Sequence, residues 1–145
     1  MIYTNHAIYS PEVVFFRDGR FELLEEPVTA SVLTLPAVNM GQVMQKGEDI
    51  HKGETAMYER MKLALALFVQ MDHRHLILGA YGCGVFRNDP HKIACWWKEL
   101  LIEYFADTFD SVVFAVMDRS KKGECLRAFE DMFGADGSGR PYGTH

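Results

Sequence analysis

The segment that most constrains this chain is Gly79-Ala80-Tyr81-Gly82-Cys83-Gly84-Val85-Phe86, because of what flanks it. Upstream, residues 75–80 (His-Leu-Ile-Leu-Gly-Ala) form a short continuous apolar run of the kind central parallel strands show. Downstream, Asp89-Pro90 opens a helix. Asp suits the N-cap, and Pro suits the first helical position, where its missing N–H would lack a partner anyway. A glycine loop that leads from a buried strand into a capped helix puts the chain in the α/β class.

Glycines permit positive φ and let the backbone approach a ligand closely. Successive N–H groups in such a loop can form an anion nest, and the following helix adds the positive end of its dipole. This suits a phosphate or pyrophosphate. The other reading is a plain tight strand-to-helix turn. The loop matches neither the dinucleotide fingerprint nor the P-loop, because no Gly-Lys-Ser/Thr follows. Tyr81 and Phe86 flank the nest. Either ring could pack on a ribose or base, or plug the core, and Tyr81 fits the core better.

The remaining segments predict a repeated strand–helix order. Residues 9–17 read as extended chain, Asp18-Gly19 as a hairpin turn, and residues 20–24 as the return strand. Glu25-Glu26-Pro27 closes that unit. Residues 30–37 read as a buried strand ending at Pro36 and Asn39, and residues 41–53 as a polar, glycine-punctuated loop. Residues 54–72 predict a helix with Met57, Met61, Ala64, Leu65, Phe68 and Met71 on one face. The helix from Pro90 carries a stripe of Ile93, Trp97, Leu100, Leu101 and Tyr104. Residues 112–117 read as a third parallel-type strand, and residues 121–133 as a last helix with Leu126, Phe129 and Met132 inward. The organisation expected is thus an extended hairpin segment over residues 1–29, an α/β core over 30–133 and a flexible tail over 134–145.

Strands separated by helices imply a mostly parallel sheet covered by helices. Ligands bind outside the carboxyl ends of such strands. Asn39, the run from Gly79 to Asn88, and Asp118 all fall on that edge. This convergence is the strongest pointer to a site.

Composition narrows the partners. The 145 residues fit one domain with a real core. With 15 basic and 20 acidic side chains the formal charge is -5, and no like-charged block stands out, so a dedicated nucleic-acid surface is not expected. No signal peptide and no membrane-length apolar run is found, and three cysteines without a CxxC pair read as free thiols in a reducing cytoplasm. Cys83 could be a nucleophile at a helix N-terminus, but His73, His75 and His91 are scattered, and a small packing residue is the better reading. No carboxylate–His spacing supports a metal at His73 and His75. Glu25-Glu26 could do acid–base work on a glycosidic bond, yet beside Pro27 the pair reads as a solvated turn.

Several stretches in order resemble the microbial-type poly(ADP-ribose) glycohydrolases. They are Tyr9-Ser10-Pro11-Glu12-Val13, Phe16-Arg17-Asp18, Leu24-Glu25-Glu26-Pro27, Leu35-Pro36-Ala37-Val38-Asn39, the glycine loop through Arg87-Asn88-Asp89-Pro90, and Val113-Phe114-Ala115-Val116-Met117-Asp118. The resemblance implies a macrodomain-like fold and hydrolysis of the ribose–ribose linkage of poly(ADP-ribose). It implies that Gly82, Cys83, Gly84, Val85 and Phe86 form the diphosphate and distal-ribose loop, with Asn39 beside it and Asn88 and Asp118 on the same edge. No cofactor is implied.

The family's catalytic signature is a glycine-rich stretch followed by Gln-Glu-Glu, and this sequence has no such segment. Glu25-Glu26 matches the Leu-Glu-Glu-Pro segment that follows the catalytic half. The expectation is therefore a C-terminal half that binds ADP-ribose or an ADP-ribosylated protein and is catalytically incompetent alone. Its open sheet edge would be covered by a complementing N-terminal half or by a second copy. A stand-alone nucleotide-diphosphate reader and a structural fragment without chemistry are the alternatives.

Overall fold

The computed structural model describes residues 4–134. They fall into two compact units, Thr4–Pro36 and the residues from Ala37 onward. The tail expected to be flexible lies, from residue 135, outside the described residues.

The first unit is a hairpin of β1 (Ile8–Arg17) and β2 (Leu23–Thr34), paired antiparallel from Ile8 with Thr34 to Arg17 with Leu23. The turn is longer than the Asp-Gly signal suggests. The Asp18 carboxylate accepts from the N–H groups of Arg20 (2.8 Å) and Glu22 (2.9 Å), and the left-handed residue is Phe21, at φ 65°. The two prolines within the strands, Pro11 in β1 and Pro27 in β2, sit where the ladder is irregular. The register shifts between Ser10 and Val13, around Pro11, and between Phe15 and Arg17, opposite Pro27. Proline has no N–H for the ladder, so it is tolerated at such places.

The strand pairing corrects two expectations. Residues 30–37 do not form a separate parallel strand. Ala30 pairs with Val13 and Thr34 with Ile8, so this apolar run is the far half of the hairpin's own return strand. Glu25-Glu26-Pro27 is not a closing turn but lies inside β2, where both glutamates are exposed as expected.

The second unit carries α1 (Met40–Gln45), α2 (Ile50–Gln70), β3 (His75–Leu78), α3 (Pro90–Glu99), β4 (Ser111–Phe114) and α4 (Glu124–Phe133). Helix α1 replaces part of the loop expected over residues 41–53. It is short, and it forms because Asn39 caps it and because Met40 and Val43 are buried. Helix α2 begins at Ile50, four residues earlier than expected, because the Asp49 carboxylate accepts from the N–H groups of His51 and Lys52.

Strands β3 and β4 pair in parallel, from His75 with Ser111 to Leu78 with Phe114. The core beside them holds Val38, Val43, Met57, Met61, Leu65, Leu76, Leu78, Ile93, Trp97 and Leu100. Each large apolar side chain buried in this way contributes about 1.5–3 kcal/mol. Alternation along β3 leaves Ile77 76% exposed while Leu76 and Leu78 are buried. Helix α4 docks on β4 through Phe114, Phe129 and Phe133, with ring centroids 4.3 Å apart for Phe114 and Phe133.

The stripe on α3 is buried at Ile93, Trp97 and Leu100 but not at Tyr104, which is exposed. Residues Leu100–Tyr104 form a π-helical turn, with the Phe105 N–H donating to the Leu100 carbonyl at 3.0 Å. The wider turn rotates the following residues off the α-helical face. Leu126 is likewise exposed, and α4 turns Ala128 and Phe129 into the core instead. Among the described residues no helix is long and apolar enough to cross a membrane.

Candidate functional site

The glycine loop leaves the carboxyl end of β3 and enters α3. Its base is fixed by Trp97, whose indole N–H donates to the Gly79 carbonyl at 3.2 Å. Inside the loop, the N–H groups of Tyr81, Cys83, Arg87 and Asn88 donate to the carbonyls of Gly79, Ala80, Gly84 and Gly82. Among the described residues the N–H groups of Gly84 and Val85 meet no protein acceptor. Val85 is 90% exposed, and nothing would lie within 4 Å of a Cβ at Gly84. Two consecutive free amides therefore stand at the loop's open apex, the arrangement that accepts an anion.

Gly82 lies at φ 74° and has no room for a side chain. A Cβ there would stand 2.6 Å from Asn88 Nδ2 and 2.8 Å from the Ala37 Cβ. Asn88 is buried, and its amide donates to the Val38 carbonyl (2.8 Å) and to the Gly82 carbonyl (2.9 Å). Of the expected site residues, Asn88 is thus the one that holds the loop in shape, with both carbonyls closed onto one side chain.

Asn39 accepts from the Gln42 N–H at 3.1 Å and so starts α1. Helix α1 in turn touches the loop, the Gly41 N–H donating to the Phe86 carbonyl at 3.0 Å. Beside them a cleft of about 160 Å3 is lined by Met40, Met44, Ile50, Arg87, Lys92 and Trp96, among others. Lys92 pairs with Glu54 at its rim.

Asp118 follows β4 on the same edge. Its carboxylate accepts from the N–H groups of Ser120 (2.8 Å), Cys125 (2.7 Å) and Leu126 (3.1 Å), which holds it well down at about 2. These bonds seat the first turn of α4 next to the loop, where Cys125 lies near enough to Cys83 for the two thiols to perturb each other, while the Cys83 thiol donates to the Tyr81 carbonyl at 3.8 Å. The structure therefore brings Asn39, the loop, Asn88 and Asp118 onto one edge of one unit.

Two chemical points bear on the expectations, the first against them and the second with them. The Asp89 carboxylate accepts from the N–H groups of His91 (2.9 Å) and Lys92 (3.4 Å), so the first-turn donors of α3 are already taken. The N–H groups left without a protein acceptor are therefore those of Gly84 and Val85 in the loop, not those of His91 and Lys92 at the helix end. Burial, then the Cys125 thiol and Asp89, pushes the Cys83 thiol up to about 12. A thiol that stays protonated at neutral pH is not a poised nucleophile, which agrees with the packing role expected of it.

The residue that sequence reasoning missed is Arg60, fully buried on α2. Its signal was present: a cation one turn after Met57 and one residue before Met61, inside the apolar stripe.

No protein-family model and no curated protein matches this sequence. Solved structures do. A poly(ADP-ribose) glycohydrolase from Deinococcus radiodurans in complex with ADP-ribose is 41% identical, with a TM-score of 0.88 over 90% of this chain and 53% of that one. The apo form from the same organism gives 41% and 0.86, covering 90% and 54%. The glycohydrolase of Thermomonospora curvata bound to the inhibitor ADP-HPD gives 39% and 0.86, covering 91% and 50%. This chain spans about half the length of the structures it matches. Its mixed α/β fold is the macrodomain-like fold of those enzymes over that half.

Proposed function

We propose that this chain, which belongs in sequence and fold with the C-terminal half of the microbial poly(ADP-ribose) glycohydrolases, supplies the ADP-ribose-binding half of such a site. The observation that carries this reading is the pair of free amides at Gly84 and Val85 on the ligand edge of the sheet. They would take the diphosphate. Gly82 lets the chain pass close to Asn88, and Cys83 fills space behind the cradle. Phe86 would meet the distal ribose, with Asn39 beside it. Asp118 acts at one remove, by seating α4.

On the same reading, residues 1–145 do not cleave the polymer unaided, because they contain no Gln-Glu-Glu segment. The sheet face around Ile77 is where a complementing half, or a second copy, would pack. The three free thiols suit a reducing cytoplasm.

Two measurements test this. Gly84→Trp fills the open apex and should abolish ADP-ribose binding in calorimetry without unfolding the chain; unchanged affinity would move the site elsewhere. The purified chain should release no ADP-ribose from polymer. Release would show that the acid and base lie among these residues.

A further inference from the structure

The bulkiest fully buried side chain is a charged one. Arg60 is 0% exposed. A guanidinium is expensive to move out of water, so a chain keeps one inside where its charge meets a compensating dipole or charge. The position of Arg60 says what lies above it. Met57, one turn earlier on α2, puts its Cε 3.2 Å from where a Gly82 Cβ would stand. Met57, Arg60 and Met61 share one buried face of the helix, so that face lies under the glycine loop. Tyr81, beside Gly82, feels the guanidinium. Burial pushes its hydroxyl up to about 12, and Arg60 opposes that shift. Burial also lowers the pKa of Arg60, against the effect of Tyr81, but an arginine remains charged at neutral pH.

We propose that Arg60 is a positioning residue of the anion cradle: from beneath the loop its buried guanidinium steadies Tyr81 and makes the Gly84–Val85 amides electropositive enough to hold a diphosphate. This rests on the diphosphate reading of the loop. Exposed amides compete with water for an anion and gain little by themselves. A buried cation acts through a medium that screens it less than water screens a surface lysine. Removing one such charge is expected to change the affinity for a doubly charged ligand by about tenfold, the order of magnitude for a partly screened charge.

The test compares Arg60→Met and Arg60→Lys with the parent chain, titrating ADP-ribose, inorganic pyrophosphate and uncharged adenosine, with thermal melting alongside. The expected result for Arg60→Met is a loss of about tenfold for both anions and less than about twofold for adenosine. Arg60→Lys keeps the charge and should stay within about threefold of the parent. If the methionine variant does not fold, the lysine variant carries the test, and a tenfold anion loss there overturns the proposal. Equal loss for adenosine and the anions would mean a merely structural role, and also overturns it. Unchanged anion affinity in Arg60→Met overturns it and leaves the diphosphate reading standing. Pyrophosphate binding that depends on Arg60, without any preference for ADP-ribose, supports the proposal and removes the ADP-ribose reading. A parent chain that binds none of the three ligands overturns both.

Discussion

Replacing Gly82 by alanine should damage the loop far more than the same change two residues on. At φ 74° an L side chain is strained, which costs about 1–2 kcal/mol. The new methyl would also stand 2.6 Å from Asn88 Nδ2 and 2.8 Å from the Ala37 Cβ. Neither neighbour yields freely. Ala37 is buried, and Asn88 would have to give up its bonds to the Val38 and Gly82 carbonyls. Overpacking of this kind adds about 1–3 kcal/mol. The sum is about 3 kcal/mol, which for a unit of this size lowers Tm by about 10 °C or more. At Gly84 a Cβ meets nothing within 4 Å, so Gly84→Ala should change stability by about 0.5 kcal/mol at most. Urea and thermal melts followed by circular dichroism measure both. Equal stability of the two variants would refute the claim that Gly82 is a packing glycine and Gly84 a ligand-facing one.

Two further outcomes follow from the charges around the loop. Hydrogen bonds from Ser120, Leu126 and Cys125 hold the Asp118 carboxyl at about 2, below its ordinary value, so its contribution is complete above that ordinary value and is lost as pH falls through about 2. Acid titration of the parent should therefore show α4 loosening in that window, and Asp118→Asn should remove this part of the pH dependence; an identical acid transition in both would contradict it. Cys83, pushed up to about 12 chiefly by burial, should resist iodoacetamide at pH 8 while the exposed Cys95 is alkylated, as peptide mass mapping would show. Faster labelling at Cys83 would mean that the loop opens in solution.

Much of the second unit was legible in residue order because its signals are local. Asp89-Pro90 caps α3 as written, and the glycine loop joins a buried strand to that helix. What was not legible depends on partners distant in sequence. The apolar run after Thr29 looks the same whether its neighbour is parallel or antiparallel, and only pairing with β1 decides. Helix α1 has six residues and little propensity, and it exists through the Asn39 cap and the burial of Met40 and Val43. The π-turn at Leu100 redirects Tyr104, and no periodicity announces such an insertion. Within the site, glycines and a capping aspartate were readable from spacing. Asn88 was placed on the ligand edge by residue order, but its bonds to the Val38 and Gly82 carbonyls depend on folding, and Arg60 was not singled out because its full burial also depends on distant neighbours.

The central claim is that the Gly84–Val85 apex is a diphosphate site. Calorimetric titration of the chain with ADP-ribose, against AMP, tests it most directly. ADP-ribose should bind in preference to AMP, because only the former carries a bridged diphosphate for two adjacent amides. Equal binding of both, or binding of neither, would contradict it.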